Sequence, residues 1–281
     1  MLRLLFSIIL ALTLSALAPV ESRAQDRIPI FDAHLHYNWE PTPYLPPEQI
    51  IELLKKNGVT GILATSRPND GTHALMALKQ KDVWIVPFIR PYRQRSDIPT
   101  WFKDPAIYEL VESEFKRGYF RGVGEFHIYG PSASSEIAGK VVRFAVGREF
   151  YVHAHCDEQA LELLFAHDGR AKIIWAHTGF STSPEKLKQL FEKYPALWGE
   201  LSFRGGITDG AGKLTPEWRE LFAKYSDRFL LGSDTWIHPR WAQYESIMSE
   251  YRGWLAQLPP DQARRIAHEN AERLFGPRPT N

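Results

Sequence analysis

Residues 28–37 read Ile-Pro-Ile-Phe-Asp-Ala-His-Leu-His-Tyr. The run reads as a buried strand, and on a strand the side chains at i and i+2 share a face. His34 and His36 therefore project together from one strand end. Neutral imidazole is a preferred ligand for zinc and similar divalent ions, so the pair supplies half of a four-coordinate site without loop closure. Taken alone, the motif reads equally as two hydrogen-bonded histidines at a strand end.

Outward from this strand, strand-like and helix-like stretches alternate. Further strands are expected over Val59–Thr65, Val83–Ile89, Arg121–Ile128, Phe150–His155, Lys172–His177, Leu197–Phe203 and Phe229–Asp234. Helices are expected over Pro47–Asn57, Thr72–Gln80, Ile107–Arg117, Ile137–Val146, Glu158–Ala166, Pro184–Tyr194, Pro216–Tyr225, Trp241–Leu255 and Pro260–Phe275. Ser183 followed by Pro184 has the form of an N-cap and first turn. Several strands are continuous apolar runs, as in a parallel sheet covered on both faces. Eight β/α units predict an α/β fold, a (β/α)8 TIM barrel with an extra C-terminal helix. The competing doubly wound sheet usually carries a Gly-rich turn after its first strand. Here Tyr37–Pro47 is rich in proline instead.

Residues 1–24 have the form of a cleavable signal peptide. Arg3 is followed by an almost wholly apolar run, Leu4–Leu17, and by the small-x-small stretch Ser22-Arg23-Ala24, so Gln25 is the expected mature N-terminus. The apolar run is short for a membrane span, and no stable membrane anchor is expected. A periplasmic or secreted location follows. The domain proper is then 25–281, a length suited to one barrel. The single cysteine, Cys156, forms no internal disulfide and reads as a packed thiol. Without the leader, basic and acidic residues balance at 32 each, which gives no electrostatic footprint for nucleic acid. A small molecule is the expected partner; the sequence leaves oligomeric state open.

Polar residues mark the C-terminal ends of the expected strands, the rim where such barrels carry their active sites. They are His34 and His36 on the first, Glu125 on the fourth, His155 on the fifth (with His153 on the same face), His177 on the sixth and Asp234 on the eighth. Any one of these has a structural reading. Six metal-capable side chains at one rim are harder to explain that way, because burying polar groups without partners costs free energy. A divalent metal is expected, zinc first and manganese as the alternative, as one or two ions. His155 is preferred over His153 because it lies nearer the strand end. His127 shares a face with Glu125 and is a further pocket candidate. Arg90, Arg204 and Trp236 are candidate substrate-binding residues; either arginine could clamp a carboxylate or phosphate, or simply pair structurally. Trp39 and His238 lie in neighbouring loops and read as pocket walls or as packing.

The ordered set His34-x-His36, His155, His177 and Asp234 resembles the amidohydrolase superfamily of metal-dependent hydrolases. The ending Glu-Asn-Ala-Glu-Arg-Leu-Phe-Gly, residues 269–276, is similar to the closing helix of its amidohydrolase-related branch. Many two-metal members carry a bridging lysine on the fourth strand, and the glutamate found here resembles TatD-type nucleases. Glu125 could therefore bridge two ions, bind one, or act from the second layer. The resemblance implies a metal-activated water, with Asp234 as proton acceptor and His177 as a second catalytic residue or ligand. The leading expectation is an exported hydrolase of a small-molecule ester, lactone or amide. A TatD-type phosphodiesterase or nuclease, a one-zinc decarboxylase and a metal- or solute-binding barrel are the alternatives.

Overall fold

The structure, a computed structural model, describes residues 28–276. The signal peptide read in residues 1–24 lies outside them. Eight parallel strands are hydrogen-bonded in chain order: β1 (Ile30–His36), β2 (Val59–Thr65), β3 (Trp84–Ile89), β4 (Gly122–Ile128), β5 (Tyr151–Cys156), β6 (Lys172–Trp175), β7 (Leu197–Glu200) and β8 (Phe229–Leu230). The chain after β8 closes the ring onto β1. Ala33 N–H donates to Leu231 O at 2.7 Å and Asp234 N–H to His34 O at 2.6 Å. The result is a TIM-barrel-like α/β fold.

Helices α1 (Pro47–Lys56), α2 (Asp70–Ala77), α3 (Pro105–Phe115), α4 (Glu136–Val146), α5 (Glu158–His167), α6 (Pro184–Lys193) and α7 (Pro216–Tyr225) follow the first seven strands. Each turns an apolar stripe inward, as with Ile50, Ile51 and Leu54 on α1. Side-chain N-caps fix four starts: Asp104, Ser135, Asp157 and Ser183. The stretch expected as one helix over Trp241–Leu255 is instead α8 (His238–Ala242) and α9 (Tyr244–Leu255), separated by Gln243. The last expected helix runs as α10 (Pro260–Arg264), a π turn and α11 (Asn270–Phe275). Among the described residues no helix is long and apolar enough to cross a membrane.

The closing helix plugs the barrel floor. Phe275 stacks on Phe31 and meets Phe88 and Tyr151 edge-on, at centroid separations of 5.7, 5.8 and 5.7 Å. The Asn270 amide donates to the carbonyls of Ser226 and Phe229 and so ties α11 to the start of β8. With the floor apolar, the polar interior is confined to the opposite rim.

Two register shifts aim the rim residues inward. Between Asp32 and Leu35, β1 carries one residue more than β2. In β4, Glu125 is the extra residue between Gly124, opposite His153, and Phe126, opposite Ala154. A bulge of this kind re-aims a side chain. Phe126 then joins the outer core and Glu125 faces the interior. Gly124 has φ +124°, and a Cβ there would lie 2.1 Å from the His153 carbonyl oxygen. Backbone cannot yield as a flexible side chain would. Gly124→Ala is expected to destabilise the fold by about 1–3 kcal/mol or more, lowering Tm by several degrees in a thermal melt. An unchanged Tm would contradict this account of β4.

Strands expected to reach His177, Phe203 and Asp234 end sooner, at Trp175, Glu200 and Leu230. Backbone conformation keeps these three residues out of the strands. His177, Phe203 and Asp234 have φ of 57°, 50° and 49°, left-handed values that cannot continue a strand. Non-glycine residues adopt them at a cost and gather where function requires it.

Candidate metal centre

Five of the rim residues surround Glu125. From His34 Nε2 to His36 Nε2 is 3.0 Å. Glu125 Oε1 lies 3.4 Å from His34 Nε2, 3.0 Å from His155 Nδ1 and 3.8 Å from His177 Nε2, and Oε2 lies 3.2 Å from His36 Nε2. Asp234 Oδ1 lies 3.1 Å from His36 Nε2 and 3.5 Å from His34 Nε2, and Oδ2 lies 3.8 Å from His177 Nε2. Bonds of about 2.0–2.1 Å at tetrahedral angles put ligand atoms about 3.3 Å apart, so these separations suit a shared ion.

The imidazoles of His34 and His177 are held with the correct nitrogen free. His34 Nδ1 donates to Glu200 Oε2 at 2.8 Å, and His177 Nδ1 to the Ser202 carbonyl at 2.8 Å. In each ring the proton is thereby fixed on Nδ1 and the Nε2 lone pair faces the cluster. His36 Nδ1 lies 2.5 Å from Thr65 Oγ1, a hydroxyl that can donate or accept. Arg90 Nη1 lies 2.8 Å from the same nitrogen and 3.3 Å from Asn38 Oδ1, so His36 and Asn38 share its donors.

The electrostatics favour a cation. Burial opposes charge on His34, but the carboxylates of Asp234, Glu200 and Glu125 raise its pKa well above the ordinary imidazole value. Burial likewise lifts the Asp234 carboxyl, yet His34 and His36 hold it below the usual carboxylate range. With protein charges alone, the carboxylates gather a proton where a divalent ion could sit. The donor set and its charge therefore fit such an ion, with His34, His36, Glu125, His155, His177 and Asp234 able to hold it.

Sequence reasoning missed Glu200. This fully buried residue ends β7 and its two oxygens accept four donors: His34 Nδ1–H, the His177 and Ser202 backbone N–H groups, and the Ser202 hydroxyl. Its signal was a carboxylate breaking the short apolar stretch Leu197-Trp198-Gly199-Glu200-Leu201. Gly232 makes room for it, since a Cβ there would meet Glu200 Oε1 at 2.3 Å.

The two strand-5 histidines are at different depths. His155 meets Glu125 and His177 at the rim. His153 is fully buried, edge-on to His34 at 4.3 Å, with neither ring nitrogen partnered among the described residues. His127 stacks on His155 at 4.2 Å. Tyr92 Oη accepts the His127 backbone N–H at 2.6 Å, and the phenol's own proton has one acceptor among the described residues, His127 Nδ1 at 3.1 Å. With the phenol as donor in this contact, the His127 ring proton sits on Nε2. Burial pushes the pKa of His127 down to about 3 against the pull of Glu125, so the ring is a neutral donor. Cys156 is buried in the outer core, as expected of a packed thiol.

A cavity of about 370 Å³ opens over the cluster. Glu125, His127, His155, His177 and Asp234 form its base; Phe180, Phe203 and Trp236 form walls; Arg67, Arg90 and Arg95 complete it. Arg90 is 1% exposed and donates to Glu125 Oε2 at 3.1 Å. Arg204, expected at a substrate, does not line this cavity. The left-handed turn at Phe203 carries it outward, where its guanidinium donates to the carbonyls of Phe180, Thr182 and Gly205 and lies over Trp218. Trp39 packs edge-on against Tyr37, and His238 bonds the Thr42 carbonyl in an adjoining cavity.

A family model described as amidohydrolase (Amidohydro_2) matches residues 118–276. No curated protein matches the sequence. Among solved structures, the fold is similar to an amidohydrolase from Burkholderia multivorans with bound zinc, at TM-score 0.57 and 16% identity over 88% of this chain and 99% of that one. A probable 2-pyrone-4,6-dicarboxylic acid hydrolase from Acinetobacter baumannii with citric acid bound gives 0.58 and 17%, over 88% and 99%. A putative 2-pyrone-4,6-dicarboxylic acid hydrolase from Pseudomonas putida gives 0.60 and 13%, over 89% and 98%.

Proposed function

On the premise that this chain belongs to the amidohydrolase family and is a metal-dependent hydrolase, we propose that it cleaves an ester, lactone or amide of a small molecule at the Glu125-centred cluster. The observation that carries this reading is the locking of His34 and His177 by Glu200 and Ser202, which aims both Nε2 atoms at one point beside Glu125 and Asp234. The zinc in the Burkholderia relative favours zinc as the ion, with manganese as the alternative. A divalent ion held by these residues would supply Lewis acidity and lower the pKa of an attacking water.

The chain's own groups supply the rest. Asp234 borders the cavity with its carboxylate held ionised, so it can take the water's proton and return it to the leaving oxygen or nitrogen. His127 Nε2–H faces the same space and can donate to the substrate carbonyl oxygen as negative charge develops there. Glu125 is a ligand or bridge, as its contacts with four imidazoles favour, in the manner of the TatD-type glutamate. Phe180, Phe203 and Trp236 would exclude water around the scissile bond. Lactones come first among substrates because two relatives are named as hydrolases of a pyrone dicarboxylic acid. The leader read in residues 1–24 would carry the enzyme to the periplasm or outside the cell.

The test is a substrate panel on zinc-loaded protein. Lactones, carboxylic esters and amides should be hydrolysed, with phosphodiesters inert and no carbon dioxide released from unsaturated acids. Phosphodiester cleavage alone, or decarboxylation alone, would replace this reading with one of its rivals.

A further inference from the structure

We propose that Arg67 and Arg95, on the wall beside Trp236, form a subsite for an oxyanion, a carboxylate or phosphate that the substrate carries away from its scissile bond. This rests on the reading of the metal centre given above and adds the chemical class of the substrate.

Arg67, Arg95 and Trp236 line two cavities at once, the one over the cluster and a neighbour of about 230 Å³ bordered by Asn38, Tyr44 and His238. They form the partition between them. Arg67 is only 6% exposed. Its Nε donates to Glu40 Oε1 at 3.3 Å, and the backbone N–H of Arg95 reaches the same oxygen at 3.1 Å. The Arg95 guanidinium lies over the Trp236 ring, 6.0 Å from its centroid. The terminal nitrogens of Arg67 and Arg95 have no hydrogen-bond partner among the described residues. Glu40 thus fixes one edge of Arg67 and the backbone of Arg95, and leaves their planar donor forks free.

Charge argues the same way. Burial, then the neighbouring Arg90, and also Arg95, pull the Arg67 pKa down, with Glu40 opposing. Arg90 spends its charge on Glu125, which the metal reading assigns to an ion. Three guanidinium groups therefore line one cavity, and among the described residues Glu40 is the carboxylate paired with Arg67. Keeping like charges close and partly buried is unfavourable unless an anion joins them. Guanidinium forks match carboxylate and phosphate oxygens, and the buried fork of Arg67 beside the exposed fork of Arg95 is a ready recognition site. A scissile bond over Glu125 with an acid group reaching toward the partition would use both cavities.

The experiment is calorimetric titration of zinc-loaded full-length protein with glutarate, with its neutral diamide and with inorganic phosphate. The same titrations follow for Arg95→Met and Arg67→Met. Zinc content and Tm are recorded for each protein, and the exposed Arg95 keeps the test valid if the buried Arg67 variant folds poorly. Glutarate or phosphate should bind at least about tenfold more tightly than the diamide, and the substitutions should weaken that binding by about tenfold or more. Preference for glutarate over phosphate, or the reverse, then identifies the oxyanion. Equal binding of the diamide, or oxyanion affinity unchanged in Arg95→Met, would overturn the inference, since the anion would then be held by the ion alone. Failure to take up zinc would overturn the reading of the metal centre itself.

Discussion

Asp234→Asn is expected to lower kcat by about 10²–10⁴-fold while the protein keeps most of its metal. The substitution isolates proton transfer from structure. Asparagine is nearly isosteric and tolerates left-handed backbone well, so φ near 49° at this position is no obstacle. The backbone bond from residue 234 to the His34 carbonyl, which helps to close the barrel, involves no side chain. An amide oxygen can still approach His36 Nε2 and an ion, but it cannot accept and return a proton at neutral pH. Turnover should therefore collapse on whichever substrate the panel identifies, with metal content measured on the same sample. Near-normal turnover would remove Asp234 from the chemistry.

Glu200→Gln is expected to weaken metal affinity by about 10–100-fold, because Glu200 holds His34 through its Nδ1 and so sets the direction of Nε2. All four partners of the Glu200 carboxylate are donors. A carboxamide must turn its NH2 toward one of them, leaving a buried donor facing a donor, at a cost of about 1–3 kcal/mol. It also lowers the basicity of His34 and frees that ring to change tautomer. Competition with a chromogenic chelator reads the affinity and a thermal melt the stability. The pH dependence has a definite sign. Burial raises the Glu200 pKa, but His34, His177 and their hydrogen bonds bring it below the ordinary carboxylate value. Its contribution to stability is then present above the ordinary carboxylate range and lost as pH falls through the folded value. Glu200→Gln should accordingly lose less stability than the wild type on acidification. Wild-type metal affinity in this variant would show that Glu200 does not orient His34.

What could be read from the sequence follows from how each residue is placed. The barrel was legible because each β/α unit carries its own local signal, and the rim residues because strand ends point at one face in this fold. His34, His36, Glu125, His155, His177 and Asp234 all sit at such ends, and the structure brings them together. Glu200 sits at one too, but its meaning depends on His34, 166 residues away in sequence. Arg67 and Arg95 lie in the loops after β2 and β3, whose paths carry no periodicity. Arg204 is the converse case. It follows a strand end as expected, and the left-handed residue before it turns it away from the cavity. The same conformation at His177 and Asp234 keeps both residues outside the strands that precede them.

The most direct measurement is metal content per chain, by plasma mass spectrometry on full-length protein purified without chelator from metal-supplemented cells, beside His36→Ala. One or two equivalents of a divalent ion, lost in His36→Ala, is the predicted result; two would favour Glu125 as a bridge and one would favour a mononuclear site. No stoichiometric metal, even after reconstitution with zinc, manganese and cobalt, would contradict the account and leave the rim as a cluster of hydrogen-bonded histidines and carboxylates.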